Sequence, residues 1–185
     1  YGVDLIRSNS KDTDLIELQH ESYTKAYQVK YNLESFGFTQ EYDYILFDTP
    51  PNVDIRMVSA LMASNYLFMP LEMAAFAQSG MVDMLEDALM IQEKFNPGLE
   101  ILGFLVNKMN RSATDHRKGL KELRAGIGEL CFKQEIGIRS GVDYVTARGM
   151  PISKLKTKAG REAKAELHGA FDEMLKRIKK HQRNL

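Results

Sequence analysis

Residues 42–51 read Tyr42-Asp43-Tyr44-Ile45-Leu46-Phe47-Asp48-Thr49-Pro50-Pro51. The compact apolar run Tyr44–Phe47 predicts a short buried strand, and the two prolines stop it because they cannot donate to a ladder. Such a strand delivers one carboxylate, Asp48, at its tip. Outward from this stretch, apolar runs alternate with segments of helical period nearly to the end of the chain. Gly2–Arg7, Tyr66–Met69 (closed by Pro70), Ile101–Val106 and Phe132–Ile138 predict further strands. Thr13–Phe36, Val53–Ala63, Gln78–Phe95, Thr114–Leu123 and Gly160–Lys180 predict helices, and Asp54 falls in a first turn where its charge suits the helix dipole. Short strands of near-continuous apolar content are those of a buried parallel sheet, and the intervening helices supply its crossovers. The expectation is one α/β layered domain over residues 1–185, with no repeat, low-complexity stretch or linker to divide it.

Composition agrees with that class. Hydrophobic residues make up 44% and charged residues 27% of 185, which excludes a disordered chain, a collagen-like fibre and a disulfide scaffold. The single cysteine, Cys131, has no internal partner, fits a reducing cytoplasm and reads as packing. No apolar run approaches the roughly 18–20 residues of a membrane span. Basic and acidic residues balance at 25 each, yet residues 151–185 hold ten basic against four acidic side chains. A neutral average therefore conceals a basic C-terminal segment on an acidic body. That segment reads either as a solvated terminal helix or as a contact surface for nucleic acid or anionic lipid. His20, His116, His168 and His181 are scattered without metal-ligand spacing. Met81 and Met84 fall at helical spacing with Leu85 and Leu89, so the methionines between Met57 and Met90 read mainly as core.

Ligands of parallel α/β sheets bind beyond the carboxyl ends of the strands. The residues to weigh are therefore Asp48-Thr49, Pro70-Leu71-Glu72, Asn107-Lys108 and Gly137-Ile138-Arg139. Asp48 is placed either to hold the hydration shell of a Mg²⁺ bridging two phosphates or simply to shape a turn. Asn107 offers both a donor and an acceptor, which suits a purine edge, and it also suits a strand end. Lys108 can lay its aliphatic stem along a base or remain a solvated lysine.

The ordered set YDYILFDTPP, Asn65–Pro70 followed by Phe76-Ala77 and Gly80, Gly103–Met109, and Ile136–Arg139 followed by Gly149-Met150-Pro151-Ile152 resembles the ParA/MinD superfamily of deviant-Walker P-loop ATPases. Among these, ParA-type partition proteins are the most similar. The resemblance spans about residues 42–152, with Tyr1–Asn9 a weaker match to the preceding strand. It implies a P-loop NTPase-like three-layer sandwich with a mostly parallel sheet. It assigns Asp48 a catalytic and Mg²⁺-binding role through water, and Thr49 the γ-phosphate region or the turn. Asn107 and Lys108, with backbone contacts from Gly137 and Ile138, would hold the base, although the family often places a proline near Gly137. The implied cofactors are ATP and Mg²⁺. The implied partners are a second copy in a nucleotide-sandwich dimer, non-specific DNA and a centromere-binding ParB-like protein, in the cytoplasm on the nucleoid. Some of the methionines would then line the dimer face. The DNA-binding residues implied are Lys154, Lys156, Lys158, Arg161, Lys164, Lys176, Arg177 and Lys180. Phe171, Met174, Leu175 and Ile178 are read as the face docking the last helix on the sheet rather than as a membrane stripe.

The departure from the family matters for activity. No Gly-Lys pair followed by Ser or Thr occurs in the sequence, nor does the aspartate-rich switch segment. The strand–P-loop–helix portion that cradles phosphates is therefore missing, and the 185 residues read as the C-terminal two-thirds of the family domain. Such a chain should not hydrolyse ATP alone, and its incomplete sheet should expose an apolar edge that favours self-association. Two other readings stand beside this one: a non-catalytic α/β interaction module, and a MinD-like or cellulose-synthesis-associated ATPase.

Overall fold

The computed structural model describes residues 3–6, 25–49, 54–73 and 78–183, with backbone only for 78–80. The expected features on Pro50, Pro51, Phe76, Ala77, His20 and residues 13–24 lie outside the described residues. The chain forms two compact units, residues 1–65 with 84–99 and residues 66–83 with 100–185.

In the first unit, α1 (Gln28–Ser35), α2 (Phe38–Glu41) and α3 (Ile55–Ala63) are helical. The long helix expected over residues 13–36 shrinks, within the described part, to α1. Its end is set by Gly37, whose φ of +75° is the left-handed value that glycine adopts without a Cβ penalty. Asp54 is not inside the first turn of α3 but is its N-cap, accepting from the N–H of Arg56 at 2.9 Å and of Met57 at 3.4 Å. At the other end of α3, the Asn96 amide donates to the carbonyls of Leu61 and Ser64, each at 2.8 Å. Ile55, Met57, Val58, Ala60, Leu61 and Met62 are all buried, so α3 is an interior helix, and its methionines are core as expected.

The strand expected at Tyr44–Phe47 is not formed: the segment has no regular secondary structure and pairs with no strand among the described residues. Tyr44 is 65% and Leu46 86% exposed, and Ile45 and Phe47 are exposed as well, so the whole run meets solvent. Residues 3–6, inside the expected strand Gly2–Arg7, behave alike, with Val3, Leu5 and Ile6 exposed. A strand is a property of a pair, and an apolar run without a neighbouring ladder has nothing to hold it in a sheet.

The second unit holds a parallel three-stranded sheet in the order β1 (Tyr66–Glu72), β2 (Glu100–Met109), β3 (Cys131–Gly137). β1 runs through Pro70 instead of closing there. It lies at the edge of the described sheet, where a missing N–H on the outer side costs no ladder bond. The β1–β2 register slips between Leu67 and Phe68, leaving Leu102 as the extra residue of a bulge. Gly103 makes this bulge with a φ of +115°, and a Cβ there would stand 2.0 Å from the Leu130 carbonyl oxygen.

Helices cover both faces of this sheet. On one, α5 (Thr114–Ile127) sets Leu120 and Leu123 against Val106, Met109, Cys131 and Met73. On the other, α7 (Lys158–Gln182) sets Ala170 and Met174 against Leu105, Phe132, Phe68 and Ile136. Leu105 and Val106 go to opposite faces, as the period of a strand requires. The architecture is thus α/β, with a parallel sheet between helical layers. Helix α4 (Gln78–Lys94) separates β1 from β2 in the sequence, and α6 (Ser140–Thr146) is a short helix that the periodicity did not predict. Both α5 and α7 outrun their expected spans, α5 passing through Gly126 and α7 starting at a Thr157 N-cap that accepts from the Gly160 N–H at 3.1 Å.

The free edge of β3 is closed by side chains. Glu173 of α7 accepts from the N–H groups of Lys133 and Gln134, each at 3.0 Å, and Glu166 accepts from that of Gly137, also at 3.0 Å. The Arg124 guanidinium donates to the Lys133 carbonyl at 3.0 Å. An edge whose donors and acceptors are already matched offers no template to a further strand.

Candidate functional site

β2 and β3 end side by side, as parallel strands must, and bring together four of the six residues expected at a nucleotide. Met109 pairs in register with Gly137, and the Ile138 N–H donates to the Met109 carbonyl at 3.1 Å. Asn107 and Lys108 lie inside the last turns of the β2 ladder, with Asn107 opposite Glu72, not in a loop after it.

Lys108 is the one non-glycine residue at positive φ among those described, at +50°. A left-handed lysine costs roughly 1–2 kcal/mol, and such strain concentrates at functional sites. Two contacts hold it: the Asn107 side-chain oxygen accepts from the Lys108 N–H at 2.9 Å, and the Lys108 ammonium meets Glu72 at 2.6 Å. The hydrogen bond to Glu72 raises the lysine's pKa, so it stays charged. With its oxygen engaged, Asn107 presents its NH₂ as the group available to a ligand.

The backbone contacts expected from Gly137 and Ile138 are narrowed. Both N–H groups are occupied, by Glu166 and by Met109, so only their carbonyls remain to accept from a base. The Ile138 side chain is exposed. Gly137 has a packing reason as well: a Cβ there would come within 3.2 Å of Arg111 Nη1 and 3.5 Å of Glu166 Oε2.

Those neighbours belong to a cluster that sequence reasoning missed. Glu166 Oε1 accepts from Arg111 Nη1 and from Arg139 Nη2, each at 2.7 Å. Arg111 also reaches Glu135 at 2.9 Å, and Arg139 reaches Glu162 at 2.7 Å. Burial opposes ionisation of Glu166, but the two guanidiniums and the Gly137 N–H outweigh it and hold its pKa at about 2. The partners are 23 to 55 residues apart, so no local pattern announces them.

Asp48 and Thr49, the other two expected residues, are exposed at the end of the unpaired run in the first unit. Among the described residues no cluster of three or more His, Cys, Asp or Glu side chains is arranged to hold a metal. A cavity of about 1140 Å³ in the second unit is lined at the opposite end of the strands by residues such as Glu100, Leu130, Phe132 and His181. None of the four strand-end residues lines it.

Of the eight basic residues, Lys154, Lys156, Lys158, Arg161, Lys164, Lys176 and Lys180 are exposed. Arg161 donates to the Lys156 carbonyl at 2.9 Å, and Lys180 stands 3.9 Å from Glu129. Arg177 faces inward instead. Its guanidinium donates to the carbonyls of Leu102 (2.8 Å), Glu129 (2.6 Å) and Cys131 (3.1 Å) and to Glu173 (2.8 Å), and stacks 4.1 Å over Phe132. That geometry gives Arg177 a structural bond set in place of the phosphate contact expected of it. Ile178 and Met174 face the sheet side as expected, whereas Phe171 is 56% exposed.

Comparison with known proteins gives this arrangement a family. A model of the AAA domain matches residues 3–101, more than half of the chain. The chain belongs to the ParA/MinD family of P-loop ATPases. It is 29% identical over 133 residues to protein IncC of Escherichia coli, and 26% identical over 168 residues to the chromosome partitioning protein ParA of Caulobacter vibrioides. Those matches cover 72% and 90% of this chain but 36% and 62% of the two relatives. The fold is similar to that of a plasmid partition protein from Borrelia burgdorferi, at TM-score 0.52, 22% identity and 75% and 56% coverage. It is similar as well to that of a cobyrinic acid a,c-diamide synthase from Mycobacterium smegmatis, at TM-score 0.59, 21% identity and 78% and 52% coverage.

No helix among the described residues is long and apolar enough to cross a membrane.

Proposed function

We propose that the chain supplies the C-terminal two-thirds of a single ParA-type partition ATPase domain, which when complete binds Mg-ATP, dimerises and binds DNA without sequence preference. The observation that carries this reading is the paired end of β2 and β3. There a strained Lys108 is held beside an Asn107 amide whose donors are free. Asn107 NH₂ would donate to a ring nitrogen of the base, the Gly137 and Ile138 carbonyls would accept from its amino group, and the Lys108 stem would lie along its face. The donor set fits the base end of a nucleotide. It does not fit the triphosphate, for which the sequence has no Gly-Lys-Ser/Thr loop. Asp48, with Thr49, would serve the Mg²⁺ and its water, the ion supplying charge neutralisation between phosphates. As an isolated piece the chain would not hydrolyse ATP.

Seven exposed cations, the eight first expected less Arg177, would meet DNA phosphates. Each phosphate contact contributes a slope of about −0.9 to the dependence of log affinity on log salt. A ParB-like partner would stimulate hydrolysis in the cytoplasm on the nucleoid, by analogy with the partitioning proteins that the chain matches. Calorimetry with Mg-ATP on the full product of the gene tests the reading: saturable binding supports it. Heat absent at millimolar ATP leaves the second reading, a non-catalytic α/β interaction module.

A further inference from the structure

β1 brings a carboxylate to the same strand end. Glu72 is its last residue and stands in register with Asn107 of β2. The next residue, Met73, is 8% exposed and packs with Val106, Met109, Leu120 and Leu123. Gly119 of α5 makes room for it, since a Cβ there would stand 2.7 Å from the Met73 Cε. The ladder on one side of Glu72 and this buried methionine on the other fix where the carboxylate stands. Glu72 Oε1 then meets the Lys108 ammonium at 2.6 Å. The lysine is thereby held at both ends. Its backbone is left-handed, with the N–H on the Asn107 side chain at 2.9 Å, and its ammonium is on Glu72. The two side chains are 59% and 42% exposed, so solvent screens the pair and it does little for stability. What it does is confine a side chain that would otherwise sample many rotamers.

We propose that Glu72 is a positioning residue for the base: it holds the Lys108 stem across the strand ends as a preformed wall of the Asn107 site. The carboxylate itself touches no part of the nucleotide. It acts through the lysine, removing before binding the rotamer freedom that the stem would otherwise lose on binding. Engaged there, the ammonium is also withheld from the phosphates of the ligand. The contribution therefore belongs to the base and not to the triphosphate. It rests on the nucleotide reading proposed above.

The test is calorimetric titration of the full product of the gene with Mg-ATP and, separately, with magnesium tripolyphosphate, which has the phosphates without base or sugar. The variants are Glu72→Ala, Glu72→Gln, Lys108→Gly and the double variant Glu72→Ala with Lys108→Gly. Both side chains are exposed, so all four should fold. Glu72→Ala should weaken Mg-ATP about three- to tenfold, the cost of ordering one long side chain, and should not weaken tripolyphosphate. Glu72→Gln, which still offers an oxygen to the ammonium, should fall between that variant and wild type. With Lys108 already replaced, Glu72→Ala should change Mg-ATP affinity by less than about twofold, and this cycle decides the matter where tripolyphosphate gives no heat. A merely structural role would weaken both ligands alike and persist without the lysine. Either of those results, or Mg-ATP affinity unchanged in Glu72→Ala, overturns the positioning role and leaves the nucleotide reading intact. A wild type that binds no Mg-ATP overturns that reading and the positioning role with it.

Discussion

Arg177 separates a structural cation from a DNA-binding one. Its guanidinium bridges the carbonyls of Leu102, Glu129 and Cys131 and pairs with Glu173, which itself holds the N–H groups of Lys133 and Gln134. Leu102 and Cys131 are 4% and 5% exposed, so water cannot replace the lost donors without opening the structure. Two orphaned buried carbonyls cost about 1–3 kcal/mol each. An unpaired Glu173 and the lost stacking on Phe132 add to this, and removing one partner of a buried pair costs about 3–5 kcal/mol in general. Arg177→Ala should therefore lose about 3–5 kcal/mol in urea unfolding. Arg177→Lys keeps the charge but not the fork, and should lose about 2 kcal/mol or more. Where the lysine variant remains folded, its salt dependence of DNA binding should equal the wild type's. An alanine variant of undiminished stability whose salt slope shrinks by about 0.9 would refute the assignment and return Arg177 to the phosphate contacts.

Other expectations follow from single features. Gly103→Ala forces a side chain to a φ of +115° and onto a backbone carbonyl that no rotamer change can move. The loss should be about 2–5 kcal/mol, read as a shift in the urea midpoint at constant m-value. Asp54→Ala removes the cap of α3 and should cost about 1 kcal/mol in thermal or urea unfolding. Glu166 is depressed from the ordinary 4.5 to about 2. Its contribution, about 2–3 kcal/mol, is therefore full above pH 4.5 and lost as pH falls towards 2, a slope that Glu166→Gln should flatten in acid unfolding curves. Lys108→Gly relieves the left-handed strain at the loss of an exposed ion pair, so stability should stay within about 1 kcal/mol while nucleotide affinity drops.

What the sequence made legible was what depends on neighbours along the chain. Ile101–Val106 is largely buried, so its nearly continuous apolar run reads as a parallel strand whatever surrounds it. Of the stripe Phe171, Met174, Leu175 and Ile178 read from periodicity, Met174 packs against the sheet and Ile178 is buried, whereas Phe171 is exposed. Where a feature depends on distant partners, local reading failed in both directions. Tyr44–Phe47 has the composition of a strand but no ladder among the described residues, and Pro70 has the composition of a stop but sits where β1 continues. Arg177 looks like any lysine or arginine of a basic helix, because the carbonyls it binds are 46 to 75 residues upstream. The strand-end residues were legible as positions, since parallel sheets place ligands there. Their hydrogen-bond states were not, because the occupancy of the Gly137 N–H is decided by a residue 29 positions away.

The two long edges of the described sheet are managed in opposite ways. β3 has its outer N–H groups taken by Glu166 and Glu173 and its carbonyls by Arg124 and Arg177, a set of bonds that leaves nothing for another strand. β1 has no strand partner on its outer side among the described residues, and its sequence there, Tyr66–Glu72, carries a proline but no inward charge to discourage one. Separately, the first unit exposes Val3, Leu5, Ile6, Tyr44 and Leu46 on backbone without a ladder among the described residues. Exposed apolar segments with open hydrogen-bonding groups are those that pair with another chain when nothing else reaches them. Self-association of the 185-residue chain should therefore run through these segments and not through β3. Charged substitutions at Leu5 and Leu46 should then raise the concentration at which the chain stays monomeric in analytical ultracentrifugation, while equivalent changes at the exposed Lys133 and Gln134 of β3 should leave it unaltered. The reverse order would mean that the carboxylates of α7 do not close that edge.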